Sequence, residues 1–172
     1  MPTTTLNEPI LLAHLPDMVT IGHIQSLAIG IWRTTPSPSA ARSISQVIRQ
    51  LLSTYSTVSA FHITSSAVGI PDSETRHVLG QLSKVVDGRL QALGVVVEVT
   101  GFKASVLQSI ITGMLVPFRT RFPVGLHATR EAGAAWMAQA FVAPFPPGPS
   151  SEHLINALDK FLAHTGPPKQ PT

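Results

Sequence analysis

The sequence contains no cysteine, so disulfide bonds, thiol catalysis and cysteine-ligated zinc are all excluded. Charged residues are also scarce, because they make up 12% of the 172 residues against 44% for hydrophobic residues. This composition excludes general disorder, which requires few apolar and many charged residues. A sparsely charged surface is poorly protected against association, so burial in a homo-oligomer or in a complex is compatible with the sequence.

Several further absences narrow the function. The net charge is only +3, and the basic residues are scattered apart from Arg119 and Arg121, so we expect no nucleic-acid partner. No window offers the roughly 18 uninterrupted apolar residues of a transmembrane helix. The first 15 residues lack the basic start of a signal peptide. We therefore predict a cytoplasmic protein without a membrane span.

No catalytic or cofactor-binding signature is present. Serines are abundant, but none lies in the G-x-S-x-G pattern of hydrolases, and no glycine-rich phosphate loop occurs. The histidines include no pair at helical spacing and no HExxH motif, so we predict neither a metal site nor a cofactor. The seven histidines are His14, His23, His62, His77, His127, His153 and His164.

Two of these histidines keep a catalytic alternative open. His62 and His127 lie near the carboxyl ends of predicted strands, where ligands of open α/β sheets bind, and Asp72 or His77 could complete a small polar site. An unrecognised hydrolase is therefore the second alternative function. Glu98 lies in an apolar run and is either a buried acid or the exposed end of a strand.

Apolar runs alternate with amphipathic stretches through most of the chain. Between Gly94 and Trp136, a short apolar run, a helix, a second apolar run and another helix follow one another. This alternation is typical of parallel strands connected by helices. Residues 18–22 and 27–33 are predicted to form a hairpin before this region. The second helix is predicted to run from a cap at Asp72 or Ser73 as far as Gly94.

Proline-rich segments divide the chain into parts. We predict a flexible arm over residues 1–16, one domain over 17–142, a proline-rich linker over 143–150, an amphipathic helix over 151–164 and a disordered tail over 165–172. The appended helix has an apolar stripe that includes Leu154, Leu158 and Phe161. It either folds back on the domain or docks on another molecule.

The predicted order of strands and helices resembles that of STAS and SpoIIAA-like domains, the anti-sigma-factor antagonists and their relatives. The stretches LAIGIWRTTPSPSAAR, GFKASVLQSIITGM and FPVGLHATREAGAAW are similar to parts of STAS-like proteins from myxobacteria and related bacteria. The resemblance covers about residues 18–141. It implies an α/β fold with a mixed sheet of about five strands, an N-terminal hairpin followed by parallel strands, and about four helices. The short C-terminal helix predicted at 151–164 is added to this fold.

The start of the second helix carries the functional part of this resemblance. In the antagonists, an Asp-Ser-Ser/Thr-Gly turn lies here, and its second hydroxyl residue is phosphorylated. The matching position of this chain is Glu74, so the resemblance implies a module that is not switched by phosphorylation at the usual position, unless Ser73 or Thr75 substitutes in a shifted register.

We therefore predict a non-catalytic, regulatory protein-binding module whose partner is another protein. The loop at residues 65–70 is predicted to contribute to the binding surface. The candidate partner-binding residues are Asp72, Ser73, Glu74, Thr75, Arg76 and His77.

The third helix supports an alternative function. It starts near Phe102 and is apolar nearly all round, so it is predicted to be the most buried helix or to face a partner. Some SpoIIAA-like relatives resemble lipid-binding folds, and such a helix could line a cavity. A carrier of a small apolar ligand or lipid is therefore the first alternative function.

Overall fold

The structure, a computed structural model, describes residues 8–65, 67–115, 122–144 and 146–163. These residues form six strands and five helices. In chain order they are β1 (Ile10–Leu15), β2 (Val19–Ile24), β3 (Leu27–Trp32), α1 (Pro38–Thr54), β4 (Val58–Thr64), α2 (Ser73–Val85), β5 (Leu90–Val97), α3 (Gly101–Leu115), β6 (Val124–His127), α4 (Arg130–Ala140) and α5 (Ser151–Ala163).

The six strands form one mixed sheet in the order of the chain, β1-β2-β3-β4-β5-β6. The β1–β2 and β2–β3 pairs are antiparallel, and the remaining three pairs are parallel. The predicted α/β class, with hairpin strands followed by parallel strands, is confirmed. Among the helices of the described residues, none combines the length and the apolar character that crossing a membrane requires.

The predicted count of five strands is wrong, because part of the predicted flexible arm forms β1. Pro9 and Pro16 lie just outside this strand, where the missing N–H of proline interrupts no ladder hydrogen bond. Asp17 adopts φ of 60° in the tight turn to β2. The remainder of the predicted arm, residues 1–7, lies outside the described residues, as does the predicted tail at 165–172.

Helices cover both faces of the sheet. On one face, α1 packs on the β2 and β3 side of the sheet, α2 packs beside α1, and α3 packs on β5. On the other face, α4 and α5 pack over a core that includes Ile29, Phe61 and Val96. The sheet is therefore the middle of three layers.

The predicted extension of the second helix to Gly94 is wrong. α2 ends at Val85, and β5 begins at Leu90. Between them Gly88 adopts φ of 69°, a left-handed conformation that cannot continue a right-handed helix. The apolar residues that follow Gly88 therefore belong to a strand, and Gly94 lies inside β5 rather than at a helix end.

Of the two alternatives predicted for the third helix, the one that made it the most buried helix is wrong. Phe102 is 85% exposed and Val106 is 37% exposed, whereas Leu107 is buried against β5. Among the described residues, α3 packs on the sheet along one side, and Phe102 and Val106 lie away from that side and face solvent. Because α3 is apolar nearly all round, its uncovered side exposes the apolar residues Phe102 and Val106.

The helix at residues 151–163 folds back on the sheet. Its stripe packs beside α4 and over β2 and β3, with Leu154, Leu158 and Phe161 each at most 2% exposed. Gly22 of β2 permits this contact, because a Cβ atom there would overlap the ring of Phe161. Of the two alternatives for this helix, the described residues adopt the intramolecular one.

Candidate functional site

The predicted binding residues lie together at the start of α2. Asp72 and Thr75 stabilise the helix start, whereas the others are exposed. Asp72 is the N-cap, and its carboxylate accepts a hydrogen bond from the backbone N–H of Thr75 at 2.7 Å. This bond lowers the pKa of Asp72 below its usual value of 3.8. Thr75 is fully buried, so Ser73 offers the exposed hydroxyl of the predicted motif.

The other candidate residues face solvent. The carboxylate of Glu74 lies 3.3 Å from the guanidinium of Arg42 on α1. Arg76 donates a hydrogen bond to the carbonyl oxygen of Pro71 at 2.7 Å. The side-chain amide of Gln81 donates to Nε2 of His77 at 2.9 Å. The first two turns of α2 therefore expose side chains of both charges and a histidine to solvent.

The loop between β4 and α2 is anchored at several points, yet it leaves one large apolar side chain in solvent. Val68 is buried, and the backbone N–H of Gly69 donates to the hydroxyl of Thr35 at 2.7 Å. Ile70, immediately before Pro71 and Asp72, is 56% exposed. Contiguous apolar surface with a polar rim is typical of interaction sites, whereas a single exposed apolar side chain is common on any protein surface.

A second exposed apolar side chain belongs to the same edge of the sheet. Phe102 lies in the first turn of α3, which follows β5. Because β4 and β5 are parallel neighbours, the connections that follow them leave from one edge of the sheet. Ile70 and Phe102 therefore both contribute apolar surface to the edge at which α2 begins.

An open groove of about 220 Å³ runs between α1 and α2. The sequence alone does not identify this groove, because the pairing of α1 with α2 is not a local property. The spacing of seven residues between Arg42 and Arg49, which puts both arginines on one side of α1, was the available signal. The groove is lined by Arg42, Ser45, Gln46, Arg49, Val78, Gln81 and Leu82.

The two strand histidines do not meet. His62 lies on the α1 side of the sheet, where its Nδ1 accepts a hydrogen bond from the indole N–H of Trp32 at 3.2 Å. His127 lies on the opposite side, where it packs on Trp136 of α4 with 5.5 Å between ring centroids. The sheet separates them, so they cannot form the small polar site that their strand positions suggest.

No group of three or more histidine or acidic side chains within the described ranges could hold a metal ion. Arg119, Arg121 and His164 lie outside those ranges.

Glu98 follows β5 directly and pairs with a residue that sequence reasoning did not connect to it. Its two carboxylate oxygens accept hydrogen bonds from Nε and Nη2 of Arg130, at 2.5 and 2.7 Å. These bonds raise the pKa of Arg130. Because Arg130 is the first residue of α4, the pair connects the end of a strand to the start of the helix that covers it.

Comparisons with models of protein families, with curated proteins and with solved structures found no match to this chain. The function is therefore inferred from the residues and their geometry.

His62 is expected to make stability fall on acidification. Burial lowers the pKa of His62 from 6.5 to about 4. Between these pH values the imidazole is protonated in the unfolded chain but neutral in the folded chain. Stability should decrease as the pH falls from 6.5 to about 4, and this contribution should be constant outside that window.

Urea denaturation at several pH values within this window would measure the effect. His62→Gln, whose amide oxygen can still accept from Trp32, should show a shallower decline. The matched change at an exposed histidine, His77→Gln, should keep the original slope. Equal slopes in the three proteins would contradict the assignment to His62.

Proposed function

We propose that this protein is a non-catalytic regulatory module that binds another protein through one surface, here called the α2 surface. This surface consists of residues 65 and 67–70 of the predicted loop together with Ser73, Glu74, Arg76 and His77, and residue 66 of that loop lies outside the described residues. The observation that carries the proposal is Ile70, a large apolar side chain 56% exposed beside four exposed polar residues of a helix start.

Fixed geometry supports this proposal. The Asp72 cap and the bond from Gly69 to Thr35 hold the loop and the helix start in place without the partner. A surface that is already ordered loses little conformational freedom on binding, so less of the interaction energy is offset. The buried Thr75 anchors the centre of the surface while its sequence neighbours remain available.

The permanent negative charge of Glu74 concerns whether binding is regulated by phosphorylation. In the anti-sigma-factor antagonists, to whose wider group the sequence is similar, a phosphate is added at this position of the helix start. A carboxylate carries its negative charge without modification, and Arg42 already pairs with it. We therefore propose binding that does not depend on phosphorylation at this position.

Capture of partners by the immobilised protein from an extract of its native cell, followed by mass spectrometry, tests the proposal. Ile70→Asp should reduce recovery of the specific partner by about tenfold, because a charge replaces a central apolar contact. Val142→Asp is the matched control, since Val142 is 64% exposed and lies two residues after the end of α4, on the other face of the sheet.

Both variants should melt like the original protein, because both side chains face solvent. Recovery of the same partners by Ile70→Asp and by the original protein would contradict the proposed surface. A complete absence of specific partners would contradict the proposed function.

A further inference from the structure

We propose that the groove between α1 and α2 binds an acidic, amphipathic segment of the partner protein. This inference rests on the proposed function and specifies the chemistry of the partner. The groove is continuous with the α2 surface, because Glu74 pairs with the groove residue Arg42 and His77 bonds the groove residue Gln81.

The α1 side of the groove is cationic. Arg42 and Arg49 are both exposed and lie seven residues apart, which is about two helical turns or roughly 10 Å along α1. Arg42 pairs with Glu74, whereas Arg49 makes no hydrogen bond or ion pair within the described part of the chain. No aspartate or glutamate lines the groove, so two carboxylates of a partner would find complementary charge there.

The α2 side of the groove has an apolar component. Val78 and Leu82 lie four residues apart on α2, and both are partly buried at the groove. Between the helices, Ser45, Gln46 and Gln81 supply neutral hydrogen-bonding groups. A helical segment with carboxylates at positions i and i+7 and a leucine between them would match both sides at once.

Size and shape favour a segment of a protein over other occupants. The volume of about 220 Å³ is below the roughly 300–1,000 Å³ of small-molecule sites, and the groove is open. Nucleic acid would also satisfy two arginines, but its phosphates would leave Val78 and Leu82 without an apolar contact. We therefore assign the groove to a carboxylate-bearing protein segment.

Glu74 acts as an internal competitor in this arrangement. Its carboxylate lies on Arg42 at 3.3 Å, where a carboxylate of the partner would bind. Both side chains of this pair are more than 60% exposed, so the partner can displace the pair at little cost. Removing the charge of Glu74 should therefore strengthen binding, a change in the opposite direction to that of the arginine variants.

Fluorescence anisotropy with a defined probe tests the inference. The probe is a labelled, helix-stapled peptide of 14 residues with glutamates at positions 3 and 10 and leucines at positions 6 and 7, as specified by the geometry above. Its control has glutamine at both acidic positions. A single-stranded oligonucleotide of similar length is the nucleic-acid arm.

The acidic peptide should bind in a salt-sensitive manner, and the glutamine peptide and the oligonucleotide should bind at least about threefold more weakly. Arg42→Gln and Arg49→Gln should each weaken binding about threefold, and the double variant about tenfold. Glu74→Gln should strengthen it about twofold. Lys160→Gln removes the same charge from α5 on the other face of the sheet and should have no effect.

The inference is overturned if no peptide binds saturably, if the two peptides bind equally, if the arginine variants bind the acidic peptide unchanged, or if the oligonucleotide is preferred. The partner-capture experiment described above distinguishes failure of the groove inference from failure of the proposed function. A partner that depends on Ile70 but is retained by the double arginine variant would leave the α2 surface intact and remove only the acidic groove.

Discussion

Phe161→Ala is expected to lower the free energy of unfolding by about 3–5 kcal/mol, the range for removing a fully buried phenylalanine. Phe161 is 2% exposed, and its ring lies directly on Gly22 of β2. An alanine would leave a cavity that backbone atoms cannot readily fill, because the neighbouring side chains belong to a sheet and a second helix. Urea denaturation followed by circular dichroism would measure the loss.

The matched control is Asn156→Ala on the same helix. Asn156 is exposed, so this change should alter stability by no more than about 0.5 kcal/mol. Similar stabilities of the Phe161→Ala variant and the original protein would show that α5 is not bound to the sheet in solution. That result would return the helix to the alternative in which it docks on another molecule.

Gly133→Ala is expected to destabilise the protein by about 1–2 kcal/mol, although alanine favours a helix by about 1 kcal/mol over glycine. Gly133 lies in α4, and a Cβ atom there would overlap Cγ2 of Val96 and lie 3.1 Å from the ring of Phe61. Val96 is fully buried and stiff at χ1, so it cannot rotate away. Helix α4 would have to move off the sheet.

Two controls make this prediction specific. Gly80→Ala lies in α2, where an added Cβ meets no atom within 4 Å, so alanine should stabilise the protein by about 0.5–1 kcal/mol. Val96→Ala combined with Gly133→Ala should be less destabilising than the sum of the single changes by about 1 kcal/mol, because the overlap is removed. Stabilisation by Gly133→Ala would contradict the close approach of α4 to β5.

Much of the architecture could be predicted because it depends on local patterns. Ser37 and Asp72 have side chains that favour N-caps, and they cap α1 and α2. The apolar run at Val58–Thr64 is a buried strand. The appended helix has the stripe that its spacing predicts. Each of these features is determined by residues within two helical turns of one another.

The errors arise where two local signals compete or where burial depends on distant partners. Leu90 extends the apolar periodicity of α2, and only the left-handed conformation of Gly88 ends the helix before it. Phe102 is apolar, yet it is 85% exposed, because none of the elements among the described residues covers the start of α3. Composition does not reveal which side of a helix will be covered.

The candidate site could be predicted from the sequence only where its residues are neighbours in the chain. Asp72 to His77 lie together because they are consecutive, whereas the contribution of Arg42 and Arg49 depends on how α1 meets α2. The separation of His62 from His127 depends on strand register, which places one on each side of the sheet. Periodicity within one strand cannot fix that relation between two strands.

The strand order has a consequence for how the molecule forms. Because each strand pairs with the strand before it in the chain, the sheet can grow in one direction during translation, with every new segment adding to an edge already in place. The exception is α5, which follows all six strands and returns to β2 and β3. The docking of α5 therefore requires a sheet that is already paired, because its apolar stripe packs on two strands and on α4 together.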